Sequence, residues 1–224
     1  MPLHDWTTLS GWSGVRHIWI VELLHWIKPR LPAGYRVFIG STPTFAIDAP
    51  GEERPAMMVF DTASGESSEE PEQEIAVPAL TAEMALFVEC QDRLIAAVEL
   101  VSPRNKDRAS ACGAYTNIYA GYLLKGVNLL LVDVHPRPDQ FSFADAIAQE
   151  LQIEQLPACP VPFAISYRVG EKAPNGGRVV ALWRRPLTVG LSLPTLPLAL
   201  SVKQAVPVDL EETYGRAAAA AYLS

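Results

Sequence analysis

One acid stands inside an almost wholly apolar run, Leu94-Ile95-Ala96-Ala97-Val98-Glu99-Leu100-Val101. A carboxylate in a buried strand is costly unless a metal, a cation or a hydrogen-bond donor meets it. Glu99 is therefore the residue on which chemistry would be built. Cationic and polar groups follow at short range, as Arg104, Asn105, Lys106 and Arg108, with Tyr115 beyond them. Lys106 folded back onto Glu99 would satisfy the buried charge without any metal.

Other chemically capable residues have plainer readings. Ser102 has no Gly-x-Ser-x-Gly around it, and Pro103 marks a turn rather than a nucleophile elbow. His4-Asp5 could form an acid/base or metal pair, but Trp6 and Trp12 nearby would pin that segment to the core and leave Asp5 capping locally. His17 and His25 lie about two helical turns apart, and partly exposed helix-face histidines are commoner than ligands. Phosphate-cradling Gly-rich loops are missing, and Asn175-Gly176-Gly177 reads as a hairpin tip.

The elements that must position Glu99 follow from periodicity. Residues 94–101 and 128–134 are near-continuous apolar runs, which suits strands covered on both faces. Ala109–Lys125 between them reads as a helix, and a helix joining two such strands makes a crossover with the strands parallel. Tyr115, Tyr119 and Tyr122 share one face of that helix, a spacing that fits packing before base stacking. Upstream, residues 13–28 form a helix with Ser13 as N-cap, stopped by Pro29 and Pro32. Residues 35–40 and 43–48 read as two short strands or one bent hairpin, and 54–61 as a further strand. Glu83–Glu89 and Asp92–Val101 form an antiparallel hairpin about Gln91-Asp92. Thr62–Glu74 is acidic and short of apolar groups, a solvated loop. Downstream come a short helix at 142–151, a hairpin of 162–169 with 178–183, an extended Leu- and Pro-rich stretch at 186–207, and a last helix capped by Asp209.

The sum is an α/β fold, with a central mixed sheet flanked by helices and a C-terminal hairpin and helix. One domain over 1–224 is expected, with its core at about 13–135 and an extension at about 136–224. The chain has 224 residues, 49% hydrophobic, enough for one sizeable core. A formal net charge of -7 argues against sequence-independent DNA binding, which draws on Lys and Arg. Cys90, Cys112 and Cys159 are odd in number and contain no CxxC pair, as expected of reduced thiols in a cytoplasmic protein. The N-terminus lacks a secretory pattern and no run is long enough to span a bilayer, so no membrane partner is expected. Oligomeric state is open.

The residues Glu-Leu-Val-Ser-Pro-Arg-Asn-Lys (99–106), then Tyr115, then Gly-Val-Asn-Leu-Leu-Leu-Val-Asp (126–133), resemble a bacterial family, domain-of-unknown-function family 4058. That family is similar in turn to the Uma-type endonucleases of the PD-(D/E)XK nuclease superfamily. His4-Asp5-Trp6, Trp183, Pro186-Leu187, the Leu-Pro repeats of 191–200 and Asp209-Leu210 with Tyr214 also fit, so the resemblance spans most of the chain. It implies a restriction-endonuclease-like core, Mg²⁺ held by two acids, and a metal and lysine that activate water and stabilise charge on a phosphate. Glu99 matches the second acid, but the position two after it holds Val101 in place of Lys. Where some relatives carry a relocated Lys-Arg pair, this chain has Ile118 and Tyr119. Ala56 follows Pro55 where the motif needs Asp. Asp61 and Asp48 are the nearest surrogates, though Asp61 would point to the opposite face of a straight strand from residue 56.

Three readings stay open. In the first, the domain is catalytically degenerate and acts as a binding or interaction module. In the second, it is a Mg²⁺-dependent nuclease with Glu99 and Lys106 catalytic and Glu99 with Asp61 or Asp48 on the metal. In the third, the domain is purely structural, with Glu99, Ser102, Asn105 and Lys106 in a satisfied polar network. Arg104, Asn105, Arg108 and Tyr115 are the candidate binding residues, and nucleic acid is the partner that the resemblance implies. That partner calls for a basic strip of Arg104, Lys106 and Arg108 lining a cleft over Glu99.

Overall fold

The computed structural model describes residues 1–42, 80, 82–136, 141–153, 156–173 and 177–223. The expected strands at 43–48 and 54–61 and the acidic loop lie outside these residues, and so do Asp48, Ala56 and Asp61.

Helix α1 (Trp12–Ile27) buries Val15, Trp19, Ile20, Leu23 and Ile27, the stripe its spacing sets. Its start differs from expectation. The N-cap is Gly11, at φ 95, and Ser13 is an exposed first-turn residue. Trp12 is drawn inward against Trp6, with ring centroids 5.0 Å apart, and burial of that indole outweighs a hydroxyl cap.

Strands β1 (Tyr35–Thr42), β2 (Glu83–Cys90) and β3 (Arg93–Leu100) form an antiparallel run, β1 with β2 and β2 with β3. Gln91 and Asp92 join β2 to β3 with φ 51 and 57, the left-handed pair of a tight hairpin turn. Beyond β3, the single-turn 3₁₀ helix Pro103–Lys106 leads to α2 (Ala109–Lys125) and β4 (Asn128–Asp133). β4 lies parallel to β3, from Ala96 opposite Asn128 to Leu100 opposite Val132. The strand–helix–parallel-strand unit expected from the sequence is therefore present. The Asn128 amide braces it, donating to Ile95 O at 3.0 Å and accepting from Val169 N at 2.9 Å.

After α3 (Phe143–Glu150), β5 (Phe163–Lys172) and β6 (Arg178–Pro186) extend the same sheet antiparallel, giving the order β1-β2-β3-β4-β5-β6. The Leu- and Pro-rich stretch is extended as expected. It also pairs with itself, as β7 (Thr195–Ala199) against β8 (Ala205–Asp209). Asp209 accepts from Glu212 N at 2.9 Å and starts α4 (Leu210–Ala220). One face of the sheet packs against α1, α4 and β7–β8, and the other against α2 and α3. The architecture is α/β: a mixed six-stranded sheet with one parallel pair between two helical layers. Among the described residues no helix is long and apolar enough to cross a membrane.

Candidate functional site

Thr42 ends β1 opposite Glu83, the first residue of β2, and Leu100, which ends β3, lies opposite Val132, one residue before the end of β4. The ends of these strands therefore share one edge of the sheet. Ligands in open α/β sheets gather at the carboxyl ends of parallel strands. Alternation puts Thr42, Glu83, Glu99 and Asp133 on the α2 face, in step with Ala85, Phe87, Ala97 and Leu131 of that core. All four polar side chains are buried.

Glu99 is 2% exposed. Thr42 Oγ1 and Tyr122 OH both donate to its Oε1, at 2.8 and 3.3 Å. Burial raises its carboxyl to about 7, against the lowering effects of the Thr42 hydroxyl, the Arg16 guanidinium and Tyr122. The Glu83 carboxylate repels its charge and raises it further.

Arg16, on the buried stripe of α1, is 1% exposed. Its Nη1 pairs with Glu83 Oε2 at 2.9 Å, and Nε and Nη2 donate to Leu100 O at 2.6 Å and Met84 O at 2.9 Å. Ser102 Oγ donates to the other Glu83 oxygen at 3.0 Å. Two carboxyls thus face one guanidinium, and the cluster is neutral when one of them is protonated. Glu99, whose side-chain partners among the described residues are hydroxyls, gains affinity for a proton.

Lys106 does not turn back to Glu99. Its Nζ donates to Asp133 Oδ1 at 2.9 Å and Oδ2 at 2.7 Å, and both side chains are fully buried. The reason is topological. The 3₁₀ turn carries Lys106 across to the end of β4, where Asp133 offers an ionic partner. Glu99, further back in β3, already has two hydroxyls and the field of Arg16. Burial raises the Asp133 carboxyl to about 6, with Lys106 pulling it down.

The remaining expected site residues are dispersed. Asn105 is 1% exposed and internal, its Oδ1 accepting from Ser102 N at 2.6 Å to close the turn. Tyr115 is also 1% exposed, packed 5.9 Å from Tyr119. Burial first, then Glu83 and Glu99, pushes its hydroxyl up to about 12. Both were expected at a binding surface and are internal instead, whereas the tyrosine stripe as a whole packs into the core as its spacing suggests. Arg104 lines a cavity with Trp12, His17 and Glu83, whereas Arg108 lines a different one with Cys112 and Phe141 and pairs with Asp107 at 3.0 Å. The expected basic strip over Glu99 is not formed, since Lys106 points inward and the two arginines serve separate cavities. His4 Nδ1 lies 2.7 Å from Tyr214 OH, and Asp5 caps Thr7 N at 2.9 Å, the local arrangement that the tryptophans favour.

Arg16, Glu83, Thr42, Tyr122 and Asp133 complete the site; Tyr122 reads from sequence as part of a packing stripe and Asp133 as the end of a strand, and none of the five was expected as a site residue. Arg16 could have been, because a cation between Trp12 and Trp19 on an apolar stripe needs a buried partner. The donors do not suit a divalent ion: Glu83 and Asp133 are engaged by protein cations, and among the described residues no group of three or more His, Cys, Asp or Glu is placed to hold a metal. Compared with protein-family models, with curated proteins and with solved structures, the chain matches none.

Proposed function

We propose that the protein is a catalytically silent, nuclease-like scaffold acting as a binding module. The kinship is with domain-of-unknown-function family 4058 and, through it, the Uma-type endonucleases. One observation carries the reading. The acids around the end of the parallel pair are neutralised from within, Glu83 by Arg16 and Asp133 by Lys106. In a metal-dependent nuclease that positive charge belongs to the ion. The parallel pairing of β3 with β4, and the burial of Glu99 beside it, support the kinship. The internal cations support the loss of catalysis.

The test is cleavage of single- and double-stranded DNA with Mg²⁺ or Mn²⁺. The expected result is no cleavage above that of a folded Glu99→Ala variant. Cleavage that this substitution abolishes while the fold persists would overturn the reading and return Glu99, Lys106 and Asp61 or Asp48 to catalytic and metal-binding roles.

A further inference from the structure

We infer that the cavity between the first turns of α1, the start of β2 and the turn after β3 is a small-molecule site for a sugar phosphate. This deepens the binding-module reading and rests on it. The cleavage assay reads catalytic silence and a ligand titration reads capture, so the two can fail separately.

The cavity is about 540 Å³, within the size of ordinary small-molecule sites. It opens at the same sheet edge as the carboxylate cluster, where α/β sheets place their ligands. Glu83 and Ser102 are buried polar groups in its lining, and Glu83, 8% exposed, is locked from two sides. Arg16 holds one carboxylate oxygen at 2.9 Å and Ser102 Oγ the other at 3.0 Å. A carboxylate has about four lone-pair sites. Each Glu83 oxygen therefore keeps acceptor capacity, while Arg16 already supplies the balancing charge. Such a group calls for neutral O–H donors rather than a cation.

A guanidinium and an imidazole line the same cavity. Arg104 and His17 belong to it, both exposed, and among the described residues neither side chain has a hydrogen-bond or ion-pair partner. A guanidinium with no partner of its own suits the paired oxygens of a phosphate. Trp12, largely packed against Trp6, adds an apolar edge to the lining for the C–H groups of a sugar ring. A molecule with hydroxyls to meet Glu83 and a phosphate to meet Arg104 and His17 uses all three features. Neither a bare sugar nor inorganic phosphate does.

The test is calorimetric titration of the full chain with glucose 6-phosphate and ribose 5-phosphate, and with glucose, ribose and inorganic phosphate. A sugar phosphate is expected to bind at least about tenfold tighter than any of the separate halves. Arg104→Ala and His17→Ala, both at exposed positions, are each expected to weaken it by about tenfold with Tm unchanged. Glu83→Gln, which keeps an acceptor, is expected to bind more weakly wherever it remains folded. The inference is overturned if neither sugar phosphate binds at millimolar concentration. It is also overturned if inorganic phosphate binds as tightly, or if Arg104→Ala and His17→Ala leave affinity unchanged.

Discussion

Arg16 of α1 and Glu83 of β2 form a buried ion pair at 2.9 Å, and Glu99 lies beside it with two hydroxyl donors and, among the described residues, no ion-pair partner. The pair and the lone acid form one electrostatic unit. Arg16 lowers the proton affinity of Glu99 and Glu83 raises it, while burial exceeds both.

A pH dependence follows. The folded-state pKa of Glu99 is raised from 4.5 to about 7. Between those values the folded protein holds a proton that the unfolded chain has released, so stability falls as pH rises through the window and levels off above it. The loss attributable to Glu99 is on the order of 3 kcal/mol. Glu99→Gln keeps an oxygen for Thr42 and Tyr122 and cannot ionise. Denaturant unfolding at pH 5 and pH 8 should show a wild-type decline that is smaller in the variant by that amount. Equal declines would contradict the assignment.

The Lys106–Asp133 pair closes the β3–α2–β4 crossover from within, with both groups fully buried. Lys106→Met should cost about 3–5 kcal/mol, because it leaves a buried carboxylate without its partner. The double change Lys106→Met with Asp133→Leu should recover most of that loss. A double-mutant cycle measures the coupling, and additive losses would argue against an ion pair.

Arg16→Met removes the partner of Glu83 together with donors to Leu100 O and Met84 O. A loss of about 3–5 kcal/mol is expected. The Glu99 carboxyl should also titrate higher than in the wild type, because Arg16 lowers it. Carboxyl ¹³C shifts followed against pH would detect that rise.

Gln91 and Asp92 hold φ 51 and 57 without being glycine. The hairpin should accept Asn-Gly at these positions with a gain of about 1 kcal/mol, since both residues suit left-handed backbone. Thermal unfolding should rise by roughly 2–4 °C. A fall would mean that the Gln91 or Asp92 side chain stabilises the turn.

The crossover was legible in the sequence because its signals are local. Two apolar runs flank a helical period, Gly126 ends α2 in left-handed backbone at φ 88, and the helix bounds agree with the expected ones. The 91–92 turn was legible for the same reason. The choice of partner for Lys106 was not. Glu99 is nearer in sequence, but the parallel register brings Asp133 to the turn, and only the folded topology decides between them. Arg16 and Glu83 are separated by a long stretch of chain, and nothing in either segment announces the other. Asp133 read as the end of a strand because its side-chain direction depends on register.

The central claim is that protein cations occupy the place of a metal ion's charge at this sheet edge. Calorimetric titration of Mn²⁺ into the wild type and Glu99→Gln at pH 8, where Glu99 is largely ionised, tests it most directly. The account predicts the same featureless heats from both proteins. A saturable Mn²⁺ site in the wild type that Glu99→Gln removes would contradict it.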